Sequence, residues 1–439
     1  MLNRSLLKSL MGAKSAHCMI LLALISGCSS TKLPPSGLTN RAFVSNSFGG
    51  SAQPLGVVQI INVNNHKPST STISAGIEPA MMAVSPDLTV TLVYNLVNEI
   101  TVITNSSEST TDTISLPDTA QSLIAVNAST GFAAMRNAPA VSPQTELGEV
   151  AVLNLTSSVL YTTIGVPRAH YMVMDHSGTK LLVFSDMYST PCTGGTLTGS
   201  AMTVIDIGTQ TVTPVCGFDQ AAWGVFSSDD TTAYIMNCGP ECGGTNASVQ
   251  PLSMSQFGSV QSSTPVENTF SAVPASAATI GFLNGSTLYV AGSPGGALGF
   301  GAGKLDVFDV SSGTPVRSMA GISISDGYHT RMVSATNDKL FVGSIYCTNG
   351  PAASPPTGCL TIFDTSTNTA VITPAQLAGT GITPPGITGM AAISNQNLVY
   401  VVENSRLQLY DTSTSALSTN EEILLAGQMV DVQLVDKAQ

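Results

Sequence analysis

Charge is what this sequence has least of. Only 10% of its 439 residues are Asp, Glu, Lys or Arg, and the acidic ones outnumber the basic by 27 to 15. A chain with a formal charge of −12 repels nucleic acid and anionic lipid head groups, so neither is expected as a partner. Aromatic residues make up 5%, with one tryptophan, Trp223. That scarcity counts against a carbohydrate-binding surface, which is built by stacking. Signatures of chemistry are missing too: there is no GxSxG, HExxH, EF-hand loop or paired CxxC. Single Ser, Asp and His residues are too scattered for a hydrolytic triad. The stretch from Gly295 to Lys304 looks like a phosphate loop only at first sight. Leu298 stands where GxxxxGK needs its first Gly, Leu305 replaces Ser/Thr, and a strand pattern follows where a helix is required.

What is present begins with a targeting pattern. Arg4, Lys8 and Lys14 precede a short apolar run, Met19 to Ile25, and no acidic residue occurs before Cys28. The run is too short to span a bilayer as a permanent helix, and no later segment approaches that length. It ends in Ile25-Ser26-Gly27-Cys28, which resembles the lipobox of bacterial lipoproteins. The resemblance implies a signal peptide over 1–27, a lipidated linker over 28–40 beginning at Cys28, and a soluble domain over 41–439. Ser29 beside the lipidated cysteine resembles an outer-membrane sorting signal. The mature chain keeps twelve Lys and Arg against twenty-seven Asp and Glu, a formal −15. The expected membrane contact is therefore the N-terminal lipid anchor.

Six cysteines remain: Cys192, Cys216, Cys238, Cys242, Cys347 and Cys359. An even number in an oxidising compartment reads as disulfides, although six allow fifteen connectivities. Cys347 and Cys359 flank a Pro/Ser/Gly-rich insertion and suit a staple. Cys238 and Cys242 can close a tight loop, leaving Cys192 with Cys216. No metal site is expected.

The rest of the chain is a repeat. Its second apolar segment recurs eight times, from Phe43-Val44-Ser45-Asn46 and Leu92-Val93-Tyr94-Asn95 through Phe132, Leu181, Ala233, Leu288 and Leu340 to Val399-Tyr400-Val401-Val402. The copies lie 40 to 59 residues apart. A third segment alternates apolar residues with period two and closes on Asp, as in Met202-Thr203-Val204-Ile205-Asp206 and Leu360-Thr361-Ile362-Phe363-Asp364. With Ile77-Glu78-Pro79 and Ser85-Pro86-Asp87, these segments resemble the YVTN family of β-propeller repeats, closely near 75–105 and 202–213. The resemblance implies an all-β fold, a β-propeller of four-stranded blades. Residues 239–265 and 293–303 read as insertions, so the count is eight, or seven if the stretch near 233–270 is not a full blade. The chain opens on a second strand at Phe43 and finishes on an extra first strand, Met429 to Val435. That last strand is expected to close the ring and hide its edges.

In a propeller of this kind, residues just before and inside each first strand face the central channel. The polar and aromatic ones there are Glu78, Arg168, His170, Asp219, Trp223, Tyr328, His329 and Arg331. Arg168, His170, Asp219, Trp223, His329 and Arg331 form the candidate ligand-binding set at the channel mouth. The alternative is that they simply fill the channel, paired with each other or with water. A haem or quinone would need axial His or a dense polar ring, and four mature His are few, so no cofactor is expected. The sequence points to a lipid-anchored binding or scaffold module of the cell envelope, its partner a protein or other envelope component. A second possibility is a small-molecule enzyme similar to the propeller lactonases related to 6-phosphogluconolactonase, with His170, His329, Arg168, Arg331 and Asp219 handling substrate.

Overall fold

A computed structural model describes residues 33–47, 55–142, 146–185, 200–257, 265–294, 302–348, 357–373, 386–418, 423 and 425–437. The signal-peptide segment, Cys28 and Cys192 lie outside these residues. Strands account for nearly all the regular structure. The only helical turns among the described residues are two short 3₁₀ segments, Gly239–Cys242 and Met254–Phe257.

The strands form eight separate sheets, and each runs antiparallel outward from a first strand. In chain order the first strands of blades 2 to 8 are Pro79–Val84, Ala120–Asn127, Ala169–Met174, Ala221–Phe226, Ile280–Asn284, Tyr328–Ala335 and Ile387–Ile393. Blade 1 takes its first strand from the other end of the chain. Gln428–Leu434 pairs with Arg41–Ser47, with Val432 opposite Val44. The protein is therefore an eight-bladed β-propeller closed by its C-terminal strand.

The seven-blade alternative fails at blade 5, which is complete. Its third strand, Ser248–Ser253, lies inside the stretch read as an insertion. Pro251 and the missing terminal Asp hide it from a pattern search. Its fourth strand is only Val273–Pro274, while Val266–Glu267 leaves the blade to pair in parallel with Val215 and Cys216 of blade 4.

Why the repeat folds this way follows from burial. Second strands are apolar on both faces and lie between neighbouring blades, as in Val90–Asn95, where every residue is buried. Eight hydrophobic clusters result, each drawing residues from two adjacent blades. Phe43, Phe132, Phe184, Phe308, Phe341 and Phe363 are fully buried in them, each worth about 1.5–3 kcal/mol over an exposed ring. The closure carries an ionic clip as well. Buried Arg41 reaches Glu108 at 2.8 Å and Asp436 at 2.7 Å, joining blade 1, a blade 2 turn and the chain's last residues.

Two of the expected disulfides are present, Cys238–Cys242 and Cys347–Cys359, with Cα separations of 5.7 and 5.9 Å. Cys216 is also disulfide-bonded. Bonded cysteines mark an extracellular or periplasmic protein. Among the described residues no helix is long and apolar enough to cross a membrane.

Candidate functional site

Five first strands of the propeller share a distortion that shapes the channel mouth. Where each pairs with its second strand, an extra residue interrupts the register near the start: Gln121, His170, Ala222, Thr330 and Thr388. A bulge of this kind bends the strand and re-aims its side chains. Four of these five residues line one cavity of about 410 Å³.

Around that cavity the sequence-derived candidates His170, Trp223, Tyr328, His329 and Arg331 come together. Trp223 stacks on Tyr171 with ring centroids 3.6 Å apart and planes 12° from parallel, and its indole N–H donates to the Gly281 carbonyl at 3.1 Å. The pair forms a flat, half-buried aromatic wall spanning blades 4 and 5. Arg331 is held from blade 7: Nε donates to the Thr388 carbonyl at 3.1 Å and Nη1 to the Thr330 carbonyl at 3.3 Å. Its charge acts on the Tyr171 phenol and on the buried Asp431 carboxyl. Desolvation holds both of those groups above their ordinary range, and Arg331 partly offsets it.

Arg168, Asp219 and Glu78 do not join this set. Glu78 and Arg168 occupy left-handed turn positions immediately before their first strands, at φ 50° and 49°. The turn directs Glu78 to solvent, where it is exposed. Asp219 lies on a second cavity of about 720 Å³ beside blades 4 to 6. There its carboxylate accepts the backbone N–H groups of Thr245 and Asn246, at 3.0 and 2.6 Å, and so organises a loop.

The residue that sequence reasoning missed is Glu241. It comes from the short 3₁₀ turn closed by the Cys238–Cys242 bridge, and it lines both cavities while only 3% exposed. Its Oε2 accepts from Thr279 Oγ1 and from the Ser293 N–H, both at 2.8 Å, whereas Oε1 has no partner among the described residues. Burial raises its pKa to about 7, against the pull of those two donors. His329 is the complementary case: burial lowers its pKa to about 4. Its Nε2 lies 2.9 Å from the Ser325 carbonyl, and its Nδ1 is buried without a partner among the described residues. The tight Cys-Gly-Pro-Glu-Cys loop is visible in the sequence, but nothing in its spacing says that it turns toward the channel. No three His, Cys, Asp or Glu among the described residues converge as a metal site would require.

No protein-family model matches this chain, and no curated protein matches it by sequence. Solved structures do. The dihydro-heme d1 dehydrogenase NirN, solved in complex with DHE, is similar with a TM-score of 0.60 at 11% identity, over 92% of this chain and 79% of that one. The periplasmic gluconolactonase PpgL of Pseudomonas aeruginosa is similar at 0.50 and 13%, covering 91% and 99%. The computationally designed Ika8 protein is similar at 0.52 and 7%, covering 84% and 96%. At such identities a designed protein, a dehydrogenase and a lactonase have the fold in common with this chain, and the likeness establishes the fold alone.

Proposed function

We propose that this protein is an exported, lipid-anchored propeller of the cell envelope that binds a small molecule at its channel mouth. The observation that carries the reading is the Tyr171–Trp223 pair, stacked at 3.6 Å on the wall of a cavity of about 410 Å³ that Arg331 also lines. An apolar shelf with a few fixed polar groups in a concave site of this size suits a ligand of small-molecule dimensions. Cys28, through the lipobox it completes, supplies the anchor, and the disulfide-bonded cysteines fit the compartment.

Trp223 makes the test direct. It is the only tryptophan in the chain, so tryptophan fluorescence arises from the wall of this cavity. Titration with envelope metabolites, lactones, amines and quinones should give a saturable change for at least one class, weakened in Tyr171→Ala. A folded protein whose Trp223 emission ignores the whole panel would overturn the reading.

A second reading, lactonase-like hydrolysis, has one observation in its favour. A carboxyl titrating near 7 suits general acid–base work, and Glu241 is such a group. Turnover of δ-gluconolactone that is lost in Glu241→Gln would support it. Saturable binding of the lactone without turnover would leave the binding reading in place.

A further inference from the structure

Buried polar atoms without partners among the described residues occur several times in this molecule, and some repeat with the blades. Asn46, Asn95 and Asn237 lie at or next to the end of a second strand, and each leaves its Oδ1 unpaired among the described residues. A feature recurring at the same point of three blades belongs to the repeat. Of the others, Glu241 Oε1 and His329 Nδ1 belong to residues that line the channel-mouth cavity, whereas Arg317 Nε and Thr388 Oγ1 do not.

Their chemistry is the same. His329 Nε2 faces a carbonyl oxygen, which only accepts, so Nε2 carries the proton and Nδ1 presents a bare lone pair. Glu241 Oε1 is an acceptor whenever the carboxyl is ionised. Two buried acceptors beside a flat aromatic wall call for a ligand that brings donors and a positive charge. A buried acceptor left unmatched has lost its water without a replacement, and such a ligand supplies one on entry.

Resting on the binding function proposed above, we infer that the cavity selects a protonated amine carried on a flat or apolar body. The ammonium donates to Glu241 Oε1 and His329 Nδ1, and the body lies against Tyr171 and Trp223. The negative charge of the whole chain draws cations toward it. Arg331, the fixed cation of the cavity, is tied to the Thr388 and Thr330 carbonyls and acts on Asp431. The Cys238–Cys242 bridge fixes the loop that presents Glu241.

Titratable groups facing Glu241 are His170, Tyr171, Tyr328, His329 and Arg331 across the channel cavity, with Asp219 and Glu267 across the outer one. Glu241 itself ionises near 7. Amine affinity should therefore rise about tenfold per pH unit up to about pH 7, following the ionised fraction.

Full-length protein titrated with 2-phenylethylamine, 2-phenylethanol and 3-phenylpropionate, read by Trp223 fluorescence at pH 5 and 7.5, tests this. At pH 7.5 the amine should bind at least tenfold more tightly than the alcohol, and that advantage should fall at pH 5. Glu241→Gln should abolish the pH dependence. His329→Phe keeps the ring's shape but removes the second acceptor, and should cost the amine affinity while sparing the alcohol. Alcohol or carboxylate binding as tightly as the amine would overturn amine selection and leave the binding function standing. Silence with all three probes would also overturn it, the binding function then being judged on the wider panel.

Discussion

Replacing Glu241 by Gln, or His329 by Gln, probes the two buried groups with no ligand present. Glu241 is held at about 7 against an ordinary 4.5. The folded state therefore binds its proton more tightly than the unfolded chain does. The resulting stabilisation is complete below pH 4.5 and is lost as pH rises through 7. His329 is held at about 4 against 6.5. Here the unfolded chain binds the proton more tightly, so the stabilisation is complete above pH 6.5 and is lost as pH falls through 4. Between pH 4.5 and 6.5 the two slopes oppose and nearly cancel. Each is about 1.4 kcal/mol per pH unit, on the order of 3 kcal/mol across that window. Relative to the parent protein, Glu241→Gln should gain roughly that much stability as pH rises from 4.5 to 6.5, and His329→Gln should lose it. Comparing variant with parent cancels Asp431 and the surface carboxylates. Urea midpoints followed by circular dichroism at three pH values, with disulfides kept oxidised, give the differences. Variant profiles that run parallel to the parent's would refute the argument, because they would mean that neither group changes protonation on unfolding in this range.

Other consequences follow from the ring closure and the N-terminus. Arg41→Met leaves the buried Glu108 carboxylate and the half-buried Asp436 without their cation, so chemical denaturation should show a loss of about 3 kcal/mol. Truncation after Gly427 removes the strand Gln428–Leu434 and bares the edge of Arg41–Ser47. Size-exclusion chromatography should then show self-association in place of a monomer peak. Cys28→Ser removes the thiol that would carry lipid, and should move the protein from the membrane fraction to the soluble fraction of the envelope.

The propeller is legible in the sequence because its strands repeat a burial requirement. Every second strand must be apolar on both faces to sit between two blades, whereas third strands alternate apolar residues with small polar ones such as Thr101 and Thr203, which are buried too. Phe43 and the terminal run near Val432 therefore mark the shared blade by their pattern alone. Blade 5 is harder to read, since Pro251 and the 3₁₀ turns interrupt the pattern while the backbone still pairs. The site is legible only in part. First-strand position places His170, Trp223, His329 and Arg331, because the start of the first strand lines the channel mouth. Arg168 and Asp219 lie one or two residues earlier, where a left-handed turn or a loop carboxylate sends the side chain elsewhere.

Glu241 shows why the remainder is out of reach. It belongs to no strand, and only its tertiary setting makes it unusual: two donors on one oxygen, none among the described residues on the other, and burial that moves its pKa to about 7. Repeats make a fold readable because each copy obeys the same packing rule, and by the same token they conceal function, which resides where copies differ. In this ring the differences concentrate in blades 4, 5 and 7: a histidine, His170, at the bulge position, the single Trp223 stacked across a blade interface, a disulfide-closed loop presenting a carboxyl, and His329 with one ring nitrogen unmatched. A propeller that served only as a spacer would have no reason to place four such departures around one cavity. Each adds the cost of desolvation or lost regularity to a fold that the other blades show can be built without them.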